Sequence, residues 1–247
     1  MQGMVIWGAS NGDRYPLPSI IDKANDTIAL APGELPQSKD TSANIMSILI
    51  YNGYIPTEMC VTPNEANVNI KPYEGYLFSA PTTAAKPAAA LWDPAFNADF
   101  TGAKPGGLSY AHQLPLEAVD TAGARTMRWE YSNNATEAGV GNRGPQIKSV
   151  DVSKDPPVAI LVNPNSRTLL IHGAPSTWEG NIGFNDNHVE FNNATTLFAG
   201  HYFDPTGAKK PDCLFFDEPD AGLSGNNFLG IFIKGGPTRQ DFISIWD

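Results

Sequence analysis

The stretch Gly180-Asn181-Ile182-Gly183-Phe184-Asn185-Asp186-Asn187-His188-Val189-Glu190-Phe191 decides the fold class. Ile182 and Phe184 recur at the two-residue spacing of a half-buried strand, and Val189 and Phe191 do the same around Glu190. Between them, Asn185-Asp186-Asn187 supplies side chains that brace a turn and tolerate left-handed backbone. The stretch therefore predicts a β-hairpin with strands over 181–184 and 188–191.

Outward from it the same grammar repeats. Short apolar or alternating runs bounded by Gly, Pro, Asn or Asp predict strands over 126–131, 158–162, 167–172, 197–203, 213–216, 228–234 and 242–246. Asn163-Pro164-Asn165-Ser166 reads as a second hairpin turn, joining 158–162 to 167–172. The 23 Gly and 21 Pro among 247 residues fit many turns between short elements, not a helical bundle. With no fixed-period repeat and no clear linker, one domain over 1–247 is the simplest organisation.

The first third reads differently. Met1, Met4, Val5 and Trp7 have helix-like spacing and read as the last turns of a helix that begins upstream, stopped by Asn11-Gly12-Asp13, Pro16 and Pro18. Thr41 or Ser42 can cap a second helix whose Ile45, Ile48, Leu49 and Asn52 share a face, with Gly53 as its stop. Pro56 and Pro63 bracket Met59-Cys60-Val61, room for a turn or an edge strand. Residues 80–107 are rich in Ala, Pro and Gly with isolated Trp92, Phe96 and Phe100, and predict a long surface loop, either packed or held out as a partner contact. The expected class is α+β: an N-terminal helix stub followed by a mainly antiparallel β-sheet head with long loops.

A net charge of -10 and a pI near 4.8 give no basic field for phosphates, so nucleic acid is not an expected partner. The longest apolar stretch, Ile45 to Tyr51, is far short of the roughly 20 residues that cross a bilayer, so no membrane contact is expected of these residues. The start lacks a basic, then apolar, export signal. The chain is then either cytoplasmic or relieved of its targeting segment.

Gly139-Val140-Gly141-Asn142-Arg143-Gly144 matches the dinucleotide fingerprint by letter, but Pro145 and Pro156-Pro157 deny it the following helix, so it reads as a glycine-rich loop. No Gly-x-Ser-x-Gly, His-Glu-x-x-His or Gly-Lys-Ser/Thr motif occurs, and the chain is not expected to be an enzyme. Of His112, His172, His188 and His201, His188 shares a strand face with Glu190, which suits a metal or an ordinary solvated face. Asp186, and Asp217 with Asp220 in Asp217-Glu218-Pro219-Asp220, offer the oxygen ligands of calcium without EF-hand spacing; turn chemistry and a solvated loop account for them as well. No cofactor is required. Cys60 and Cys213 fit neither a zinc knuckle nor a redox pair. They are either two thiols or, in an exported protein, a bridge stabilising by about 4–5 kcal/mol.

Three ordered segments resemble planctomycete-type prepilins and pseudopilins: Gly3-Met4-Val5-Ile6-Trp7-Gly8-Ala9-Ser10-Asn11-Gly12-Asp13-Arg14-Tyr15-Pro16, where that family's long helix ends in a turn and Tyr-Pro; the helix-and-exit stretch from Ile45 through Tyr54-Ile55-Pro56 to Met59-Cys60-Val61-Thr62-Pro63; and His172-Gly173 followed by Gly180 to Phe191, similar to the family's His-Gly and Asn-Val-x-Phe-x-Asp-Gly-His-Val-x-Phe signature. The segments cover about a third of the chain. Asp186-Asn187 stands for the usual Asp-Gly, the His-to-Asp spacing is longer, and Val61-Thr62 interrupts the Cys-Pro pair. The resemblance implies a structural subunit of a type IV pilus-like or type II secretion pseudopilus-like filament. Its precursor would be anchored in the inner membrane, and its head periplasmic, extracellular or on the cell surface. It would self-associate through an N-terminal helix missing from the sequence given. The resemblance also implies calcium in a C-terminal loop for some members. The alternative is a secreted β-sandwich that binds carbohydrate or another surface polymer, with Trp92, Trp129, Trp178 and Tyr202 as stacking platforms.

Overall fold

Thr41 fixes the longest helix of the computed structural model, which describes residues 1–116, 129–173, 176–192, 197–220 and 225–247. Its hydroxyl oxygen accepts from Asn44 N at 3.4 Å, capping α3 (Ser42–Tyr51). Ile45, Ile48 and Leu49 are fully buried along its inner face, and Gly53, at φ 75°, ends it in the left-handed region. The N-terminal helix α1 (Gln2–Ser10) stops as expected: Asn11 Nδ2 donates to Trp7 O, and Gly12 and Asp13 both take positive φ. A four-residue helix α2 (Pro18–Ile21) follows, with proline at its first position.

Among the described residues there are ten strands: β1 (Tyr110–Gln113), β2 (Ala138–Asn142), β3 (Ile147–Asp151), β4 (Val158–Leu161), β5 (Gly180–Phe184), β6 (Val189–Asn192), β7 (Phe198–Phe203), β8 (Lys209–Cys213), β9 (Leu229–Lys234) and β10 (Ile243–Ile245). The main sheet runs β10-β9-β1-β2-β5-β6, and β3-β4 and β7-β8 form separate hairpins; every strand pairing is antiparallel. The α+β class and the antiparallel sheet stand as expected from the sequence.

Met4, Ile45, Leu49, Phe96, Trp129 and Ile231 belong to a core that joins α1, α3 and the long loop to the sheet. A second cluster contains Ala111, Ile147, Trp178, Ile182, Phe215 and Leu229, and Ala159 and Leu161 of β4 lie against it. The alternate residues of the same strand, Val158 and Ile160, face outward and are exposed, as is Val162 just beyond it.

Four expectations are corrected. The run predicted as a strand over 167–172 begins as a 3-10 helix, Arg167–Leu170, because Ser166 Oγ accepts from Thr168 N and caps it; Asn163 to Ser166 is thus a turn into a helix, not a hairpin. The strand placed at 213–216 ends where it was meant to begin. Leu214 and Phe215 are buried in the turn after β8, so their apolarity reports burial and not extension. The glycine-rich segment is a strand: β2 carries Gly139 and Gly141, and a Cβ at Gly139 would lie 2.8 Å from the Met1 side chain, while one at Gly144 would lie 2.2 Å from the Phe215 ring. These glycines admit neighbours, not phosphates. Finally, β1 and β3 are strands that alternation did not disclose. Of the strand expected over 126–131, residues 126–128 lie outside the described residues, and Glu130 forms an isolated bridge with Arg14.

The loop over 80–107 contains a short 3-10 turn, Pro87–Ala89, and an isolated bridge from Gly106 to Ile70. Trp92, Phe96 and Phe100 anchor it, each at most 3% exposed, and Trp92 Nε1 donates to Asn44 Oδ1 at 3.0 Å. Of the two readings of this loop, the packed one describes these aromatics.

Candidate functional site

The β5–β6 hairpin brings together what the sequence kept apart. Asn187 turns the chain at φ 69°, Asn187 N donates to Phe184 O, and Phe184 N donates to His188 O at 3.0 Å. The preceding Asn185 is buried. Its Oδ1 accepts from Tyr15 Oη at 2.7 Å, and its Nδ2 donates to Ser132 Oγ at 3.2 Å and Glu137 Oε2 at 3.0 Å. Tyr15 stands edge-on to Trp129 at 5.5 Å, and Trp129 Nε1 donates to Pro16 O. Burial, then Tyr131 and Glu137, push the Tyr15 phenol above its ordinary range, so it remains a neutral donor. The Tyr15-Pro16 exit of α1 and the Asn185 turn, 170 residues apart, form one buried hydrogen-bonded unit.

Beyond the turn, the His188 ring stacks on Phe184 at 4.5 Å and 3°. Asp186 Oδ1 accepts from His188 N at 3.1 Å and pairs with His188 Nδ1, and Glu190 Oε1 lies 3.5 Å from Nε2. Partial burial raises the Asp186 carboxyl, and the His188 hydrogen bonds outweigh it, leaving the group below its ordinary range. His188 and Glu190 do share a face, and with Asp186 they hold one imidazole between two carboxylates at the rim of the sheet. His172, the first residue of the same sequence signature, stands edge-on to Phe191 of β6 at 5.8 Å, with its Nε2 buried and without a hydrogen-bond partner among the described residues.

Asp217 and Asp220 lie elsewhere, against Arg239: its Nε is 4.0 Å from Asp217 Oδ2 and its Nη1 is 3.6 Å from Asp220 Oδ1. Among the described residues, no three His, Cys, Asp or Glu side chains converge in a group able to hold a metal ion. The Cys60–Cys213 bridge is not formed. Cys60 sits in the α1–α3 core and Cys213 in the second cluster, both as buried free thiols. Burial, then Glu58, pushes the Cys60 thiol up to about 12, and burial raises Cys213 as well, so neither supplies a thiolate at neutral pH.

Sequence reading missed one constellation with catalytic geometry. Ser42 Oγ lies 2.7 Å from His112 Nε2, and His112 Nδ1 lies 2.8 Å from Gln113 O, an arrangement of hydroxyl, imidazole and orienting acceptor. Both side chains are fully buried, and Phe232 N donates to the same Ser42 oxygen at 2.7 Å. The hydroxyl is saturated and unreachable, so the pair is a core hydrogen-bond relay. Its only sequence signal would be Ser42 on a helix and His112 on a strand, with nothing to connect them.

Three aromatic residues named as sugar platforms, Trp92, Trp129 and Trp178, are 0–3% exposed and offer no ring face to a ligand. An apolar groove of about 230 Å³ opens between α1, α3 and the sheet, lined among others by Met1, Met4, Met46, Met59 and Val189. No helix among the described residues is long and apolar enough to cross a membrane. The chain matches no protein-family model, and neither the curated proteins nor the solved structures contain a match to it.

Proposed function

We propose that this chain is the head of a structural subunit that packs into a pilus-like or pseudopilus-like filament, without catalytic activity. The observation that carries the reading is the hydrogen bond from Tyr15 Oη to Asn185 Oδ1, because it ties the exit of α1 to the hairpin that bears the resembling signature. A helix that must transmit subunit packing to its head needs such a rigid junction, and here the junction is buried and aromatic-braced. A second copy of the chain is the partner this reading names. Copies that each carry a net charge of -10 repel, so contacts between heads favour neutral surface. The outward row Val158, Ile160 and Val162 is uncharged and exposed on the β3–β4 hairpin.

The coding sequence upstream of Met1 tests the reading. A short basic leader followed in frame by about 20 apolar residues supports it. A stop codon, or a secretory signal that leaves no helix behind, overturns it.

A further inference from the structure

Lys39 ends a 3-10 turn, Pro36–Lys39, two residues before the Thr41 cap of α3, and Asn25 lies at φ 57° in the turn that follows α2. Both backbones are fixed. Lys39 O accepts from Asn44 Nδ2 at 2.8 Å, and Asn25 N donates to Asp22 O at 3.2 Å. The Asp22 carboxylate accepts from the backbone N–H groups of Asp26, Thr27 and Ile28, which holds the rest of the turn around Asn25.

Three side chains meet at one nitrogen. Lys39 Nζ lies 2.6 Å from Asn25 Oδ1 and 2.8 Å from Asp22 Oδ2, and the Lys39 and Asp22 side chains have no exposed surface. With a carbonyl bond of about 1.23 Å, Nζ is at most about 3.8 Å from Asn25 Cγ, close to the roughly 3–3.5 Å from which bound groups react. Among the described residues Asn25 Nδ2 donates no hydrogen bond, so nothing retains the amide nitrogen as a leaving group.

We infer that Lys39 and Asn25 join in an intramolecular amide bond, with Asp22 carrying the proton. Lys39 Nζ passes one proton to Asp22 Oδ2, and its freed lone pair forms a bond to Asn25 Cγ. Asp22 delivers that proton to Nδ2 and takes a second from Nζ as the Cγ–Nδ2 bond breaks. Nζ keeps one proton in the new secondary amide, and ammonia leaves with the second proton as ammonium, so the Asp22 carboxylate is restored and nothing is oxidised or reduced. Amine, amide and carboxylate held in contact and away from water supply the effective concentration, and burial excludes competing hydrolysis. The three backbone donors make Asp22 a weak base, which slows a reaction that occurs only once per molecule; they also compensate its charge after the lysine cation is consumed. The bond joins residues 14 apart in sequence and fastens the exit of α2 to the entry of α3. The inference is independent of the filament reading.

The test is the intact mass of the 247-residue protein, fresh and after prolonged incubation at neutral pH. The expected result is a mass below that of the sequence by one ammonia, about 17 Da. Cleavage after Lys23 and Glu34 should then release residues 24–34 joined through Lys39 to the peptide that starts at Leu35. Asn25→Gly, which suits the positive φ, and Asp22→Asn should each keep the full mass of their own sequences, with Asn25→Gly retaining the wild-type circular dichroism spectrum. The full sequence mass in the incubated wild type overturns the inference, and so does an Asn25→Gly protein that still loses ammonia. A loss of about 18 Da with Lys39 joined to Asp22 overturns it too, as does an ammonia loss that maps to Asn11-Gly12 or Asn52-Gly53, where an asparagine closes on the next backbone nitrogen.

Discussion

Among the described residues two cations, Lys39 and Arg143, are buried in ion pairs, and they are finished to different degrees. Lys39 is closed: its ammonium has three protons and donates to Asp22 O at 2.6 Å, Asp22 Oδ2 at 2.8 Å and Asn25 Oδ1 at 2.6 Å, with both charged side chains fully buried. Asp22 in turn accepts from the backbone N–H groups of Asp26, Thr27 and Ile28. Burial raises its carboxyl, but Lys39 and those three N–H groups outweigh that and hold it below the ordinary range. Arg143 is open on one side. It grips Glu65 with two nitrogens, at 3.0 and 2.5 Å, lies over the Phe100 ring at 5.3 Å, and pairs with Asp247, whose second oxygen is buried and has no partner among the described residues. A buried charge with every valence filled is fully compensated; one with a valence to spare carries a desolvation cost that the fold must offset elsewhere.

The largest expected effect falls on the closed site. Lys39→Met leaves Asp22 charged and buried without its counter-ion and should lower unfolding free energy by about 3–5 kcal/mol, read from urea melts at neutral pH. A loss below about 1 kcal/mol would mean that water already reaches the pair, and the contrast with Arg143 would collapse.

Next comes a pH effect in the same half of the molecule. His112 is packed between Trp129 and Phe232, with Ser42 and the Gln113 carbonyl as its polar contacts and no carboxylate against it among the described residues. Burial lowers its pKa to about 4, against about 6.5 for a free imidazole. The folded state therefore binds fewer protons than the unfolded state between those values. The stability contributed is fully present above pH 6.5 and is lost as pH falls toward 4, on the order of 3 kcal/mol in all. His112→Gln should flatten that part of the stability–pH curve relative to wild type. An unchanged slope would assign the acid sensitivity to the carboxylates instead.

These clamps also mark where sequence reading stopped. The Asn185 hairpin, the α1 stop at Asn11 and the Thr41 cap were legible because each is decided within a few residues by turn and capping chemistry. Strands β1 and β2 were not, because Tyr110-Ala111-His112-Gln113 and Ala138-Gly139-Val140-Gly141-Asn142 owe their extension to partners on both sides, and their small residues are chosen by what packs over them. The 167–172 segment failed for the opposite reason, an apolar run that local capping by Ser166 winds into a helix. Of the candidate residues, the His188–Glu190 pair followed from strand parity, whereas Asp186 was read apart from it as a turn carboxylate, and its contact with the ring came from the structure. The Asn67–Asp247 contact did not follow, since about 180 residues separate its two sides and no local pattern announces a long-range neighbour.

Arg143→Met sharpens the comparison from the open side. It strands Glu65, whose side chain is 5% exposed against 0% for Asp22, so the expected loss is about 2–3 kcal/mol, smaller than for Lys39→Met under the same conditions. A loss equal to or larger than that of Lys39→Met would erase the distinction between a finished clamp and an unfinished one.

The smallest effect is the most discriminating. In Asp247→Asn the carboxylate becomes an amide while Arg143 keeps its two-pronged grip on Glu65 and its carbonyl keeps the Trp178 indole donor at 3.0 Å. Removing a charge whose second oxygen was already unmet takes away about as much desolvation cost as attraction, so stability should change by less than about 1 kcal/mol. If instead the variant is as damaged as Arg143→Met, Asp247 is an integral jaw of the clamp and its unmet oxygen a tolerated cost of packing. A near-silent change in the urea melt leaves the carboxylate dispensable to folding and makes the two-pronged grip of Arg143 on Glu65 the part of the clamp that carries its stability.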